Sequence, residues 1–125
     1  MKDVHTLKVG TVGVAVLSCC LPSLCAATIV APGSPVTVNQ SYAYASSSQG
    51  AVGGDFVFST SLAAAGCESG WYVKATDPGY KAIVATVLTA QAVGMQILVY
   101  GDNTDIWVGS PSGHYCRVQT VGLAS

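Results

Sequence analysis

Charged residues are scarce in this sequence. Of its 125 residues, five are Lys or Arg and six are Asp or Glu, so only 9% carry a formal charge. No basic surplus exists to neutralise a phosphate backbone, which makes nucleic acid a poor candidate partner and argues equally against charge-driven binding to a membrane surface. Half of the residues are apolar and the mean hydropathy is +0.50, which excludes disorder caused by charge excess. The length suits one small domain.

The N-terminal segment 1–26 has the order of a secretory signal peptide. Lysines precede the uncharged run 9–21, and small residues follow it. The run is shorter than the roughly 20 apolar residues that a membrane-spanning helix needs. We therefore predict cleavage after Ala26 or Ala27, export to the periplasm or beyond, and no membrane span in the mature chain.

Two other fates of this segment stay open. Residues 16–19 resemble a bacterial lipobox, which would leave a lipoprotein anchored at Cys19. The segment could also remain uncleaved as an anchor. Cleavage would leave three basic residues against five acidic ones, a net charge of −2.

Cleavage would also leave two of the five cysteines, Cys67 and Cys116. Two cysteines in an exported chain predict one disulfide. Closing their loop of 49 residues would stabilise the fold by on the order of 3 to 4 kcal/mol in the chain-entropy model. Two free buried thiols are the alternative. We expect no metal or cofactor, because these cysteines and His114 fall short of the four ligands of a usual zinc site.

Alternation of apolar and polar residues, with turn residues between the runs, predicts five strands. They are expected at 36–44, 55–60, 71–75, 96–100 and 115–123. We expect an unpaired arm before them at 27–35, a flexible loop at 46–54 that makes a hairpin of the first two strands, and turns at 101–104 and 109–113.

The inward faces of two strands follow from the same alternation. In the first strand, one face carries Val36, Val38, Tyr42 and Tyr44. In the third strand, Trp71 and Val73 are expected to face the core, with Tyr72 and Lys74 on the opposite face.

One helix is predicted between the third and fourth strands. Asp77 suits the N-cap, Pro78 the first helical position and Gly94 the stop. Its core face would carry Tyr80, Ile83, Val84, Val87 and Leu88. The opposite face is small and uncharged, which favours contact with a second helix or another subunit, with simple tolerance of water as the alternative. The residues of this candidate oligomer interface are Ala82, Ala85, Thr86 and Thr89.

The element order strand-strand-strand-helix-strand-strand predicts a mainly β protein with one helix. It is the order of the OB-fold, a small five-stranded barrel. We therefore predict a single OB-like β-barrel domain over 36–125. An α+β open sheet with one helix is the alternative.

Short motifs between residues 56 and 123 resemble small exported OB-fold proteins of Gram-negative bacteria and, more distantly, the B subunits of bacterial A-B toxins. The motifs are Phe56-Val57-Phe58, Cys67, Trp71-Tyr72-Val73, Asp77-Pro78, the Ala-rich helix ending Ala92-Val93-Gly94-Met95, and Ile97-Leu98-Val99-Tyr100. Those B subunits form pentameric rings with helices lining the pore and barrel faces binding cell-surface glycans. The exported group often has its second cysteine just after the strand that follows the helix, whereas here it is Cys116.

The resemblance implies a non-enzymatic module that recognises a cell-surface glycan or protein and forms a homo-oligomeric ring. A structural or inhibitor-like protein of the periplasm or cell surface is the alternative. The resemblance assigns no sugar-binding residue.

Aromatic rings are the best candidates for ligand binding, because the apolar C–H face of a sugar stacks on an exposed ring while polar neighbours take its hydroxyls. All ten aromatic residues lie beyond the signal segment, and core packing is the alternative for each. We predict that three rings with polar neighbours reach solvent and contact a ligand: Tyr72 with Lys74, Trp107 with Asp105, and Tyr115 with His114.

Catalysis is not expected. His114 would have to serve any Ser-His-Asp or Cys-His arrangement, and the sequence has no G-x-S-x-G nucleophile elbow. Asp102 and Asp105 are close in sequence, but such residues beside Asn103 and Thr104 are more typical of a solvated turn than of a glycosidase carboxylate pair.

Overall fold

The computed structural model describes residues 28–45 and 52–125. The predicted signal peptide, the lipidation site at Cys19 and residues 46–51 of the predicted loop lie outside the described residues. In the part that is described, no helix is long and apolar enough to cross a bilayer.

The described residues form six strands and one helix. In chain order these are β1 (Ile29–Val30), β2 (Val38–Ala43), β3 (Phe56–Thr60), β4 (Gly70–Val73), α1 (Tyr80–Val93), β5 (Ile97–Ile106) and β6 (Tyr115–Leu123). The strands make one open sheet in the order β1-β5-β6-β4-β3-β2. Neighbours are antiparallel except β4 and β6, which are parallel. The prediction of a mainly β protein with one helix is confirmed, whereas the sheet has six strands and is open, and the OB-like barrel stays a prediction.

The N-terminal arm is not unpaired, and that expectation was wrong. Ile29 and Val30 pair antiparallel with β5. Val36 then makes an isolated antiparallel bridge to Ile97, with N–O distances of 2.9 and 2.8 Å. Because β6 pairs with only one edge of β5, the other edge is available to the arm, which adds the sixth strand.

Residues 101–104 do not form the predicted turn, because β5 continues through them to Ile106. Gly101 suggested a turn, but it serves a close approach: a Cβ there would lie 2.6 Å from Cζ3 of Trp71 and equally close to the carbonyl oxygen of Arg117. The absence of a side chain lets the indole cover the strand.

The helix-side core is apolar. Its largest fully buried members are Trp71, Phe56, Phe58, Ile97, Val36, Val73, Val87, Val99, Cys67 and Cys116. Cys67 and Cys116 form the predicted disulfide, with Cα atoms 5.4 Å apart, so that prediction is confirmed. The alternation rule placed Trp71 and Val73 correctly on this side.

A β-bulge between Val38 and Gln40 changes the inward face of β2. A bulge adds one residue to one strand, so side chains beyond it change face. Val36 is buried as predicted, whereas Tyr42 is 50% exposed and Ser41 turns towards the helix, where its hydroxyl bonds Oε1 of Gln91 at 2.6 Å. The predicted burial of Tyr42 was therefore wrong.

The helix ends as predicted and starts later than predicted. Gly94 adopts the left-handed conformation, with φ 69°, that closes a helix. Asp77 is not the N-cap: Gly79 holds that position without a side-chain cap bond, because the Asp77 carboxylate binds the Lys74 amide and Arg117 instead. Of the predicted core face, Leu88 lies exposed.

A second core cluster covers the other side of β4. It consists of Val52, Val57, Tyr72 and Trp107, with Tyr115 packed against it. β4 lies between β3 and β6, and the chain from 106 to 115 covers this side, so all four residues of the strand are buried. Tyr72 is 1% exposed, and the expectation that it faces solvent was wrong.

Candidate functional site

Asp105 is the centre of a polar network beside the second core cluster. The Tyr72 hydroxyl donates to its Oδ1, and Arg117 Nη1 donates to its Oδ2 at 3.1 Å. Strand register explains the meeting: Tyr72 lies opposite Arg117 in the parallel pair, and Asp102 lies opposite Arg117 in the antiparallel pair. An irregularity of β5 between Asp102 and Ile106 leaves Asp105 outside the regular ladder, where its side chain can reach both donors.

Arg117 joins Asp105 to the start of the helix. Its Nη2 donates to Oδ1 of Asp77, and the other oxygen of Asp77 accepts the amide of Lys74 at 3.0 Å. Arg117 is half-buried and holds two carboxylates at once. Its fork of donors therefore fixes both acids relative to each other.

Asp55 supports the site from the buried side. It is 4% exposed, and its oxygens accept the amide of Ala75 and Nε1 of Trp107, each at 3.1 Å. These bonds tie the start of β3 to the chain after β4 and to the chain after β5. Both carboxylate oxygens are paired, as burial of a polar group requires.

The network shifts the pKa values of three side chains. Burial of Asp105 opposes its ionisation, but the hydrogen bonds from Tyr72 and Arg117 outweigh burial and lower its pKa. Burial, followed by the hydrogen bond to Asp105, raises the pKa of Tyr72. Asp77 and then Asp105 raise the pKa of Arg117. At neutral pH the centre is therefore an ionised Asp105 between a neutral phenol and a cation.

Asp105 lines both a small cavity and a larger open cleft. A cavity of about 130 Å³ is lined by Asp55, Tyr72, Lys74, Asp105, Ile106, Trp107 and Val108. An open cleft of about 370 Å³ is lined by Asp77, Pro78, Gly79, Ile83, Asp102, Asp105, Arg117, Val118 and Gln119. We call the two together the Asp105 site.

The structure brings together four of the six residues predicted to contact a ligand. Tyr72, Lys74, Asp105 and Trp107 all line the smaller cavity. The predicted exposure of the Trp107 ring was wrong, because it is 4% exposed and packs against Tyr44 and Tyr115 at ring-centroid distances of 5.1 and 5.8 Å. It forms the wall of the cavity and offers no free stacking face.

The other two predicted ligand residues lie apart from the cavity. Tyr115 is half-buried against Trp107. His114 is exposed, and its Nδ1 lies 3.2 Å from Oε2 of Glu68. An amide hydrogen bond and His114 lower the pKa of Glu68. The structure gives His114 the surroundings of an ordinary turn residue.

The predicted oligomer interface lies on the helix surface. Ala82, Ala85 and Thr89 are exposed, and Thr86 is half-buried with its hydroxyl donating to the Ala82 carbonyl at 2.8 Å. The face is accessible, and its contact with another subunit stays a prediction.

Sequence reasoning missed Arg117 and misassigned Asp77. A signal for both was present, because Arg117 is the only arginine of the chain and stands between two apolar residues of a strand. Such a cation has to reach a carboxylate beyond its own strand. Gln119, two residues further along β6, was also missed and lies exposed in the cleft.

Within residues 28–45 and 52–125, no group of three or more His, Cys, Asp or Glu side chains could hold a metal ion. Comparisons of the chain with protein-family models, with curated proteins and with solved structures found no match.

Proposed function

We propose that this protein is an exported, non-enzymatic binding module that recognises a hydroxyl-rich ligand, of the kind displayed by cell-surface glycans, at the Asp105 site. The observation that carries the proposal is the meeting of a walled cavity and an open cleft at one fixed carboxylate. The cleft alone, at about 370 Å³, is within the volume range of small-molecule sites.

The polar groups of the site suit neutral hydroxyls. Carboxylates accept hydrogen bonds from hydroxyl groups, and Arg117 and Lys74 can donate to their oxygens. Lys74 has no side-chain hydrogen bond or ion pair to any described residue, so its ammonium is free to meet a ligand. Gln119 likewise lies exposed and adds an amide that both donates and accepts.

Apolar side chains complete the site for a sugar. Pro78 and Ile83, which are not fully buried, line the cleft beside the charged groups. They offer a surface for the C–H face of a ring, while the carboxylates take its hydroxyls. The bonds between Arg117 and its two acids hold the polar groups in place before binding, which lowers the entropy cost of recognition.

The order of the strands supports an OB-type barrel that is only partly closed. In the sheet, the five longer strands lie in the order β2-β3-β4-β6-β5, with β4 and β6 parallel. The Val36–Ile97 bridge joins the chain just before β2 to the start of β5. Partly open OB barrels bind oligosaccharides through one sheet face and adjoining loops. The disulfide supports export, because such bonds persist in oxidising compartments.

Recognition of a protein is the second candidate. It is favoured by the uncharged, exposed face of α1 at Ala82, Ala85 and Thr89, which also supports the proposed ring. On this reading the protein acts in the periplasm or at the cell surface through protein contacts, and the Asp105 site is only a structural ion-pair network.

A binding assay with matched variants tests the proposal. The probes are neutral oligosaccharides ending in galactose, glucose or fucose, titrated into the oxidised protein. Gln119→Ala and Lys74→Met remove ligand-facing groups that make no side-chain bond within the described chain, so the fold should persist. We expect saturable binding that each variant weakens by about tenfold.

The controls are Gln96→Ala and Lys81→Met, which make the same chemical changes at exposed positions outside the site. They should bind as the parent protein does. Absence of saturable binding in the folded protein, or equal binding by parent and site variants, would refute glycan recognition here.

A further inference from the structure

Two tyrosine rings lie on the side of the sheet away from α1. Beyond the bulge of β2, Ser41 turns towards the helix, so its neighbours Gln40 and Tyr42 face the other way. Tyr44, just after β2, shares their side and packs against Trp107. Tyr42 is 50% and Tyr44 is 36% exposed, so both rings keep area in contact with solvent.

Strand register places Tyr42 on the same side of the sheet as the Asp105 site. Residues that lie opposite each other on neighbouring strands point to the same side. One row of such partners crosses β2, β3, β4 and β6 through Tyr42, Val57, Tyr72 and Arg117. Three strand spacings separate its ends, about 14 Å along the sheet. A short oligosaccharide can span this separation, whereas a single sugar ring cannot.

Tyr44 connects Tyr42 to the smaller cavity of the Asp105 site. The Tyr44 ring packs against Trp107, the cavity wall, at a centroid distance of 5.1 Å. The Tyr44 amide donates to the carbonyl of Asp55, another lining residue, at 3.0 Å. The exposed tyrosines therefore continue the cavity wall along β2.

Polar groups accompany the two rings. The Tyr42 hydroxyl donates to Oε1 of Gln40 at 3.2 Å, which holds the amide beside the ring. The exposed Gln40 amide nitrogen has no hydrogen-bond partner among the described residues and can donate to a ligand. Ser59 lies opposite Gln40 in the ladder, is half-buried and adds a hydroxyl. We call Gln40, Tyr42, Tyr44 and Ser59 the tyrosine subsite.

We propose that the tyrosine subsite binds a further sugar unit of an oligosaccharide whose first unit occupies the Asp105 site. The inference rests on the proposed glycan recognition and adds that the ligand is a chain. The chemistry of the subsite selects the occupant, because ring faces stack on the C–H face of a sugar while an amide and hydroxyls bond its hydroxyl groups. Two subsites on one ligand also make the second contact intramolecular, which raises affinity.

Affinity as a function of chain length tests the inference. Neutral linear saccharides of one to about five units, all ending in the same sugar, are titrated into the oxidised protein and followed by calorimetry. We expect affinity to rise by about tenfold once the chain is long enough to reach both subsites. Tyr42→Ala should remove this gain and leave the affinity for the single sugar unchanged, because a single sugar does not reach Tyr42.

Three further variants are the controls. Tyr42→Phe keeps the ring, so most of the gain should remain. Tyr100→Ala makes the same change as Tyr42→Ala at a tyrosine of β5 that is 43% exposed and lies outside both subsites, so it should bind every chain as the parent protein does. Lys74→Met alters the Asp105 site and should weaken binding at every chain length.

Failure of this inference and failure of the proposed function are distinguishable. Binding of no saccharide at any length would refute both. Equal affinity for short and long chains, or a gain that persists in Tyr42→Ala, would overturn the tyrosine subsite alone. A change of molecular mass in Tyr42→Ala, with saccharide binding unchanged, would show that Tyr42 contacts another copy of the chain and would also overturn the subsite.

Discussion

The two sides of β4 bury their side chains in different ways. On the helix side, Trp71 and Val73 pack among apolar residues and beside the disulfide. On the other side, Tyr72 packs against Trp107, and polar atoms of both bond to carboxylates, those of Asp105 and Asp55. Among the described residues, no buried side-chain nitrogen or oxygen lacks a partner. The first side holds the fold together, whereas the second also holds the carboxylates of the Asp105 site in fixed positions.

This comparison predicts that the largest loss of stability follows removal of the Trp107 indole, which belongs to the second core cluster. Trp107→Ala leaves a cavity and an unpaired Asp55 oxygen, so the free energy of unfolding should fall by about 3–5 kcal/mol. Urea denaturation measures the loss. The neighbouring exposed residue is the control: Val108→Ala should cost less than about 0.5 kcal/mol. A small loss in Trp107→Ala would show that the second side is not a core.

On the helix side, the disulfide should make the next largest contribution. The double variant Cys67→Ala with Cys116→Ala releases a loop of 49 residues and should lower the free energy of unfolding by on the order of 3 to 4 kcal/mol. Reduction of the parent protein should have a similar effect in the same denaturation assay. Equal stability of oxidised and reduced protein would contradict a structural role for this bond.

Gly101 tests whether the helix-side core depends on the close approach of β5 to Trp71. Gly101→Ala places a methyl group against the Trp71 ring and should cost about 1–3 kcal/mol. Thermal unfolding measures the change. Gly122→Ala, on the neighbouring strand with open space around its Cβ position, is the matched control and should be close to neutral. Equal stability of the two variants would mean that β5 can shift enough to accommodate the added methyl group.

The smallest predicted effect is pH-dependent. Because the folded pKa of Tyr72 is raised, its contribution to stability is fully present below its unfolded pKa of about 10 and is lost as the pH rises towards the folded value. Tyr72→Phe should lower stability by about 1 kcal/mol at neutral pH and reduce the loss at alkaline pH. Tyr42→Phe is the exposed control and should keep the parent's alkaline slope. The same slope in Tyr72→Phe would contradict the buried hydrogen bond.

How far the sequence could predict this molecule depends on the side of the sheet. Alternation around Trp71, the helical spacing of Val87 and the stop at Gly94 predicted the helix-side core, because each follows from local periodicity or a local backbone requirement. The predicted exposure of Tyr72 and Trp107 was wrong, because their burial depends on the chain from 106 to 115 folding over β4. Local alternation carries no information about such a cover.

The candidate site depended on long-range pairing in the same way. Asp105 was singled out as a neighbour of Trp107, but its bonds to Tyr72 and Arg117 arise from strand register and a β5 irregularity. The structural role of a glycine could not be read from the sequence for a related reason. Gly94 ends a helix, whereas Gly101 makes room for the Trp71 indole within a strand.

An amide chemical-shift titration of the isotope-labelled parent protein with the same neutral oligosaccharides would show, residue by residue, whether a ligand binds at the Asp105 site. We expect saturable shifts around Lys74, Asp77, Asp105 and Gln119, with residues 31–35 and 98–100 unchanged. Shifts absent throughout, or confined to residues 31–35 and 98–100, would contradict ligand recognition at the Asp105 site.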